Sequence, residues 1–224
     1  MTHQVLTINH RRCHFLCAEQ PPLCVVVKPL CAFERLRLED EFALSVRLAP
    51  KAFAMVAFEV ERAEFSHAGF PILLQYIDNA LLAAIHAHYG DLPLIVGGYS
   101  LGGLFALWCA TQRPYFKAVA ACSPSLWAEG WQTYYEQHPT KAEFVYMSMG
   151  KDEERTQKMP YKTVGDKCRW QHSKHLEHLG ESHCELHWHD GDHFTQSERR
   201  KAQAFARCIA ALSSTTALQS YRAK

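Results

Sequence analysis

Residues 92–110, Leu-Pro-Leu-Ile-Val-Gly-Gly-Tyr-Ser-Leu-Gly-Gly-Leu-Phe-Ala-Leu-Trp-Cys-Ala, restrict what this 224-residue chain can fold into more than any other stretch. Leu92–Val96 is a short apolar run of the kind that forms a strand buried on both faces. Gly103–Ala110 opens a helix. Between them Gly98-Tyr-Ser-Leu-Gly102 fits the G-x-S-x-G nucleophile elbow, with strand before and helix after as that motif requires. The serine of such a turn sits in a strained backbone conformation. The glycines two residues either side are expected to lack a Cβ so that strand and helix pass closely. The helix N-terminus then presents amide groups to negative charge forming beside Ser100. A sheet with a parallel core is the fold class this implies.

The rest of the chain suits a single domain with a sizeable core. Hydrophobic residues make up 48% and charged residues 21%, which separates it from disordered and fibrous classes. With a net charge of +1 and no basic or acidic block, neither nucleic acid nor a membrane surface is expected as a partner. The longest apolar stretches are read as too short to span a bilayer. The first twelve residues lack the basic segment and apolar region of a leader, so a cytoplasmic protein is expected. Nine cysteines are present, an odd number at irregular spacing with no C-x-x-C pair. They read as small core hydrophobes in a reducing compartment.

Along the chain, Cys13–Cys17 and Cys24–Lys28 read as two strands joined by Ala18-Glu-Gln-Pro-Pro22, a turn between antiparallel neighbours. Residues 32–48 are ambiguous and helical in part. Ala52–Val60 is a strand candidate. Leu73, Leu74, Ile77, Leu81, Leu82 and Ile85 fall at helical spacing within Phe70–Tyr89, which Gly90 closes. Strands follow at Phe116–Ala121, Phe144–Met149 and Cys184–His189. Helices follow to about Tyr135, over Val164–Leu179 and from Thr195 to Leu212, with a frayed tail at about 214–224. Residues 1–50 contribute the N-terminal strands and helix. Strands alternating with helices from about residue 50 predict an α/β fold, a mostly parallel twisted sheet covered on both faces, compact and without a large lid domain.

An activated serine needs a base within hydrogen-bond reach and an acid to orient that base. The order serine, acid, histidine is met by Ser100, by Gly150-Lys-Asp-Glu-Glu154 after one strand, and by Asp190-Gly-Asp-His-Phe194 after the last. Of 14 histidines, His193 alone follows a strand behind a Gly-Asp turn and precedes the terminal helix, so it is the candidate base. Glu153 is favoured as the acid, with Asp152 as the alternative. The amide of Leu101 is one expected oxyanion donor. The second is expected from the loop after Ala52–Val60, within residues 59–63. Trp127 and Trp131, after Ser123-Pro-Ser125, are candidate walls of a substrate pocket. His187, His189 and Asp190 lie together in sequence, yet no metal-ligand spacing is met, and neither a metal nor a cofactor is assigned.

Gly97–Trp108, Ala121-Cys-Ser-Pro-Ser-Leu-Trp127, Met149–Glu154 and Gly191-Asp-His-Phe194 together resemble the esterase D-type putative esterases of the α/β-hydrolase superfamily. That branch includes siderophore esterases and small bacterial carboxylesterases. The resemblance runs from about residue 50 to 210 and implies an α/β-hydrolase fold. It also implies Ser100 as nucleophile, His193 as base, and Glu153, three residues past a strand-ending glycine, as acid. The activity implied is serine carboxylic-ester hydrolysis on a small-molecule ester through an acyl-serine. An acyltransferase with the same triad and a catalytically silent binding protein are the alternatives. Oligomeric state is not readable from the chain.

Overall fold

Val25-Val-Val27, Met55-Val56, Ile95-Val96 and Ala118–Ala121 are apolar at successive positions, and all are buried. Only a strand covered on both faces uses such a run, because successive side chains point to opposite sides. These segments form the middle of one eight-stranded sheet. Its strands are β1 (Thr2–Ile8), β2 (Arg11–Cys17), β3 (Val25–Leu30), β4 (Ala54–Glu59), β5 (Leu94–Tyr99), β6 (Phe116–Cys122), β7 (Phe144–Gly150) and β8 (Cys184–His189). Their order is β1-β2-β4-β3-β5-β6-β7-β8. β1–β2 and β2–β4 pair antiparallel; every other pair is parallel. This computed structural model describes the backbone of residues 1–222 and the side chains through residue 214. The side chains beyond residue 214 and the last two residues lie outside that description.

The helices are α1 (Leu38–Leu48), α2 (Phe70–Tyr76), which continues through a π-helical turn (Ile77–Leu81) into α3 (Leu82–Tyr89), α4 (Leu101–Gln112), α5 (Trp131–Gln137), α6 (Val164–Leu179) and α7 (Ser197–Arg222). Alternation along the strands splits the core in two. Val27, Val56, Val96, Val119 and Met147 pack with Leu73, Ile77, Phe105 and Cys168 of α2, the π turn, α4 and α6. Val26, Met55, Ile95 and Ala120 pack with Phe42 of α1 and Phe205, Cys208 and Ile209 of α7. The result is the α/β-hydrolase arrangement, a mostly parallel sheet between two helical layers.

Three sequence expectations are corrected. β2 and β3 are not antiparallel neighbours: β4 lies between them, antiparallel to β2 and parallel to β3. The partner of β2 in a hairpin is β1, and Asn9 and His10, at φ 46° and 65°, make the left-handed turn that such a hairpin favours. Second, the helical run His67–Tyr89 is long and apolar enough, by length and composition, to cross a membrane. Phe70, Leu73, Leu74, Ile77, Leu81 and Ile85 are buried instead against the sheet. Third, the terminal helix does not stop at Leu212 before a frayed tail: α7 runs on through Arg222. On its β4 side β5 pairs with β3, so the loop at 59–63 after β4 stands one strand away from the elbow.

Three buried charges and the partly buried Glu34 meet on the α1/α7 side. Lys28 of β3 donates to Glu41 Oε1 at 2.8 Å, and Lys201 of α7 contacts Glu41 Oε2 at 2.5 Å and Glu34 Oε1 at 2.7 Å. Lys28, Glu41 and Lys201 are almost fully excluded from water. Two cations and two carboxylates balance, which makes their burial tolerable. Burial alone pushes the Glu34 carboxyl up, but Lys28 and Lys201 outweigh it and lower it to about 2. A carboxyl lowered by folding stabilises the protein in full above its unfolded value near 4.5, and that contribution is lost as pH falls toward 2. Glu34→Gln is therefore expected to flatten this part of the acid dependence of urea midpoints measured between pH 6 and 2.5. Lys201→Met, which leaves Glu34 and Glu41 to share Lys28 as their one cation, is expected to cost about 3–5 kcal/mol at pH 7.

Candidate active site

Ser100 ends β5 and precedes α4 with φ 55° and ψ −116°, a region that non-glycine residues rarely occupy. Neighbouring backbone holds it there. Its N–H donates to Cys122 O at 2.9 Å, while its carbonyl accepts from Leu104 and Ser125 N–H, each at 3.1 Å. The two flanking glycines are not equivalent. A Cβ on Gly98 would lie 2.7 Å from the Gly102 carbonyl carbon, whereas one on Gly102 would meet only Pro29 and Phe65 side chains, at 3.6 and 3.8 Å. The expectation that both must lack a Cβ holds for Gly98 and fails for Gly102. Among the described residues, no backbone carbonyl is bonded to the Leu101 amide at the start of α4.

The strand order brings the ends of β5, β7 and β8 together at the carboxyl edge of the sheet, where ligands bind in open α/β folds. His193 Nε2 lies 3.1 Å from Ser100 Oγ, and His193 Nδ1 lies 2.7 Å from Glu153 Oε2. An ionised Glu153 only accepts, so Nδ1 carries the proton and Nε2 presents a lone pair to the serine hydroxyl. Burial pushes the Glu153 carboxyl up, yet hydrogen bonds from His193, Ser123 and the Gly150 amide prevail and hold it below the usual range. Asp152 faces away and pairs with Arg155 at 2.6 Å; Glu154 pairs with Arg169 at 2.6 Å. A Cβ on Gly150 would sit 2.5 Å from Gly191 O, so that glycine lets the acid loop close on the histidine loop.

Trp127 is half-buried and meets Tyr161 edge-to-face at 5.3 Å between ring centroids. Trp131 does not reach the site. It is 1% exposed and donates from Nε1 to Gln171 at 2.8 Å, so it is a core residue of α5. Sequence reading missed four residues around Ser100, His193 and Glu153. Ser125 Oγ lies 3.3 Å from Ser100 Oγ. Ser123, held at φ 41°, donates to Glu153 Oε1 at 2.6 Å. Tyr99 OH donates to His193 O at 2.7 Å, and Arg200 reaches Glu153 from α7. The signal for the first two was the Ser123-Pro-Ser125 turn itself, whose hydroxyls meet Glu153 and Ser100.

With that geometry in place, residues 58–204 match the family described as "Putative esterase". The chain belongs to that esterase family. No curated protein matches it. Solved structures of the same fold include an IroE-like serine hydrolase from Shewanella oneidensis, at 15% identity and TM-score 0.69 over 94% of this chain and 80% of that one. The siderophore hydrolase EstB from Aspergillus nidulans aligns at 15% identity and TM-score 0.70, over 92% and 93%. The enterobactin esterase FES from Shigella flexneri aligns at 17% and 0.65, over 94% of this chain and 59% of that one. At these identities the likeness carries the esterase fold.

For this esterase, Gly98→Ala is expected to destabilise by about 1–3 kcal/mol through the clash with Gly102. Gly102→Ala should fold at least as stably as the parent, since alanine favours a helix by about 1 kcal/mol over glycine. Thermal melts of the two variants check the asymmetry.

Proposed function

We propose that the protein hydrolyses carboxylic esters of small molecules through a covalent acyl-serine formed at Ser100. The observation that carries this reading is the continuous chain Ser100–His193–Glu153, with contacts of 3.1 and 2.7 Å. His193 Nε2 takes the Ser100 hydroxyl proton as Oγ bonds to the ester carbonyl carbon, and Glu153 stabilises the imidazolium so formed. Negative charge on the former carbonyl oxygen is received by the Leu101 amide. A second amide comes from the loop after β3, at Ala32, since the Cys31 amide donates to Glu34 Oε2. The adjacency of β3 to β5 supports that choice, with Pro29 Cγ 3.6 Å from where a Gly102 Cβ would lie. As the tetrahedral species collapses, the ester C–O bond breaks and His193 returns its proton to the departing alcohol. Water then gives its proton to His193, attacks the acyl carbon and releases the acid with Ser100 restored.

Phe33, Leu36, Met159 and Phe194 stand exposed on the segments that leave the carboxyl ends of β3, β7 and β8, the sheet edge that carries Ser100 and His193. This apolar surround supports esters with an apolar acyl or alcohol part. All nine thiols are free, seven of them buried, and burial raises Cys24, Cys31 and Cys168 to about 12. Such protonated thiols take no part in the chemistry and suit a reducing, cytoplasmic setting.

Ser100→Ala is expected to abolish turnover of short-chain aryl esters and labelling by a fluorophosphonate. Retained activity would end the proposal. Glu153→Gln should lower kcat on the order of 10³–10⁴-fold, as loss of the ionised acid does in serine triads. Asp152→Asn should remain within about threefold of the parent, because loss of one surface ion pair perturbs little. Steady-state kinetics of the pair reads both.

A further inference from the structure

Arg200 lies in the second turn of α7 within the charge run Glu198-Arg-Arg-Lys201, which would ordinarily face water. It is 1% exposed instead. A guanidinium is rarely withdrawn from solvent without several acceptors. Here its Nη2 lies 3.2 Å from Glu153 Oε1 and also donates to Ser123 Oγ. Nη1 donates to Asp192 O at 3.2 Å, in the loop that carries His193. The guanidinium carbon sits over the Tyr99 ring, 5.3 Å from its centroid, and Tyr99 in turn bonds His193 O. One side chain thus touches the acid, the hydroxyl that supports the acid, the loop of the base, and the residue preceding the nucleophile.

The geometry points to Arg200 as a positioning residue for the triad, acting through Glu153 and the His193 loop; this rests on the esterase reading above. A carboxylate has two oxygens and a nearly free final torsion, so it must be fixed for one oxygen to face an imidazole. Oε1 is occupied by three donors: the Gly150 amide at 2.7 Å, Ser123 Oγ at 2.6 Å and Arg200. Gly150 and Ser123 belong to the strand edge, whereas Arg200 comes from the opposite helical layer. Of these three donors Arg200 alone also holds Asp192 O, and so adds a side-chain tie to the backbone bonds from Lys151 N–H to His189 O and Asp152 N–H to Gly191 O that join the acid and base loops. A planar fork with five donors makes these bonds simultaneously; a lysine ammonium has the charge without the fork.

The test is steady-state kinetics and fluorophosphonate labelling of Arg200→Lys, Arg200→Met and Ser123→Ala, with circular dichroism and melting to establish that each is folded. Arg200→Lys is expected to lower kcat about 10-fold and Arg200→Met about 100-fold, with KM within twofold, since a positioning defect of this kind falls on the chemical step. Ser123→Ala, which leaves the buried charges intact, is expected to lower kcat about fivefold and supplies the reading if Arg200→Met does not fold. In the Glu153→Gln background, Arg200→Lys should change the labelling rate less than twofold, because the group through which Arg200 acts is already disabled. Folded Arg200→Lys and Ser123→Ala proteins with parental kcat would overturn the proposal. So would a full 10-fold loss that persists beside Glu153→Gln, which would mark Arg200 as a general structural support. Absence of labelling on the parent's Ser100 would overturn the esterase reading itself, and parental labelling with inert Arg200 variants would overturn only this one.

Discussion

A buried carboxylate that must stay ionised organises this molecule. Glu153 has only 6% of its side chain exposed, and its burial favours the protonated form. Four donors from four places oppose that: a strand-end amide, the Ser123 hydroxyl, the His193 ring and the Arg200 guanidinium. Each donor fixes part of the fold. The Gly150 amide ties the acid to the end of β7, Ser123 ties it to the end of β6, and Arg200 ties it to α7 across the sheet. Unsatisfied, such a group would cost several kcal/mol, so the network is one cooperative unit rather than a set of separable contacts.

The same economy explains the elbow. Ser100 is held at a positive φ by bonds to β6 and to the Ser123–Ser125 turn, so the strain at the nucleophile is sustained by packing around β5 and β6. Ser123 is itself at positive φ, and its hydroxyl points to the acid because of that conformation. Two strained serines that follow adjacent strands therefore stand at opposite ends of the Ser100–His193–Glu153 chain of contacts.

Much of this was legible in residues alone. The G-x-S-x-G turn, the apolar runs of the central strands, the helix over Val164–Leu179 and the last strand over Cys184–His189 stand where sequence places them. Local patterns carried that information, and the Ser–acid–His order narrowed 14 histidines to one. Pairing of distant segments was not legible. Two prolines between β2 and β3 read as a hairpin, but strand order is set by how the whole sheet buries its faces, and β4 inserts between them. The same strand order puts β3, not β4, beside the elbow, and so sets the 59–63 loop one strand away from Ser100. Trp131 looked like a pocket wall because an aromatic residue in a short helix gives no sign of which face is buried. Arg200 was invisible for the converse reason: in a run of charges, nothing local marks the one that faces inward.

The central claim, that Ser100 becomes acylated, is tested most directly by rapid acid quench of the protein during turnover of an aryl ester, followed by peptide mass spectrometry. The account predicts an acyl mass increment confined to the peptide containing Ser100, formed in a burst stoichiometric with enzyme. Turnover with no covalent adduct, or an adduct on another residue, would contradict it.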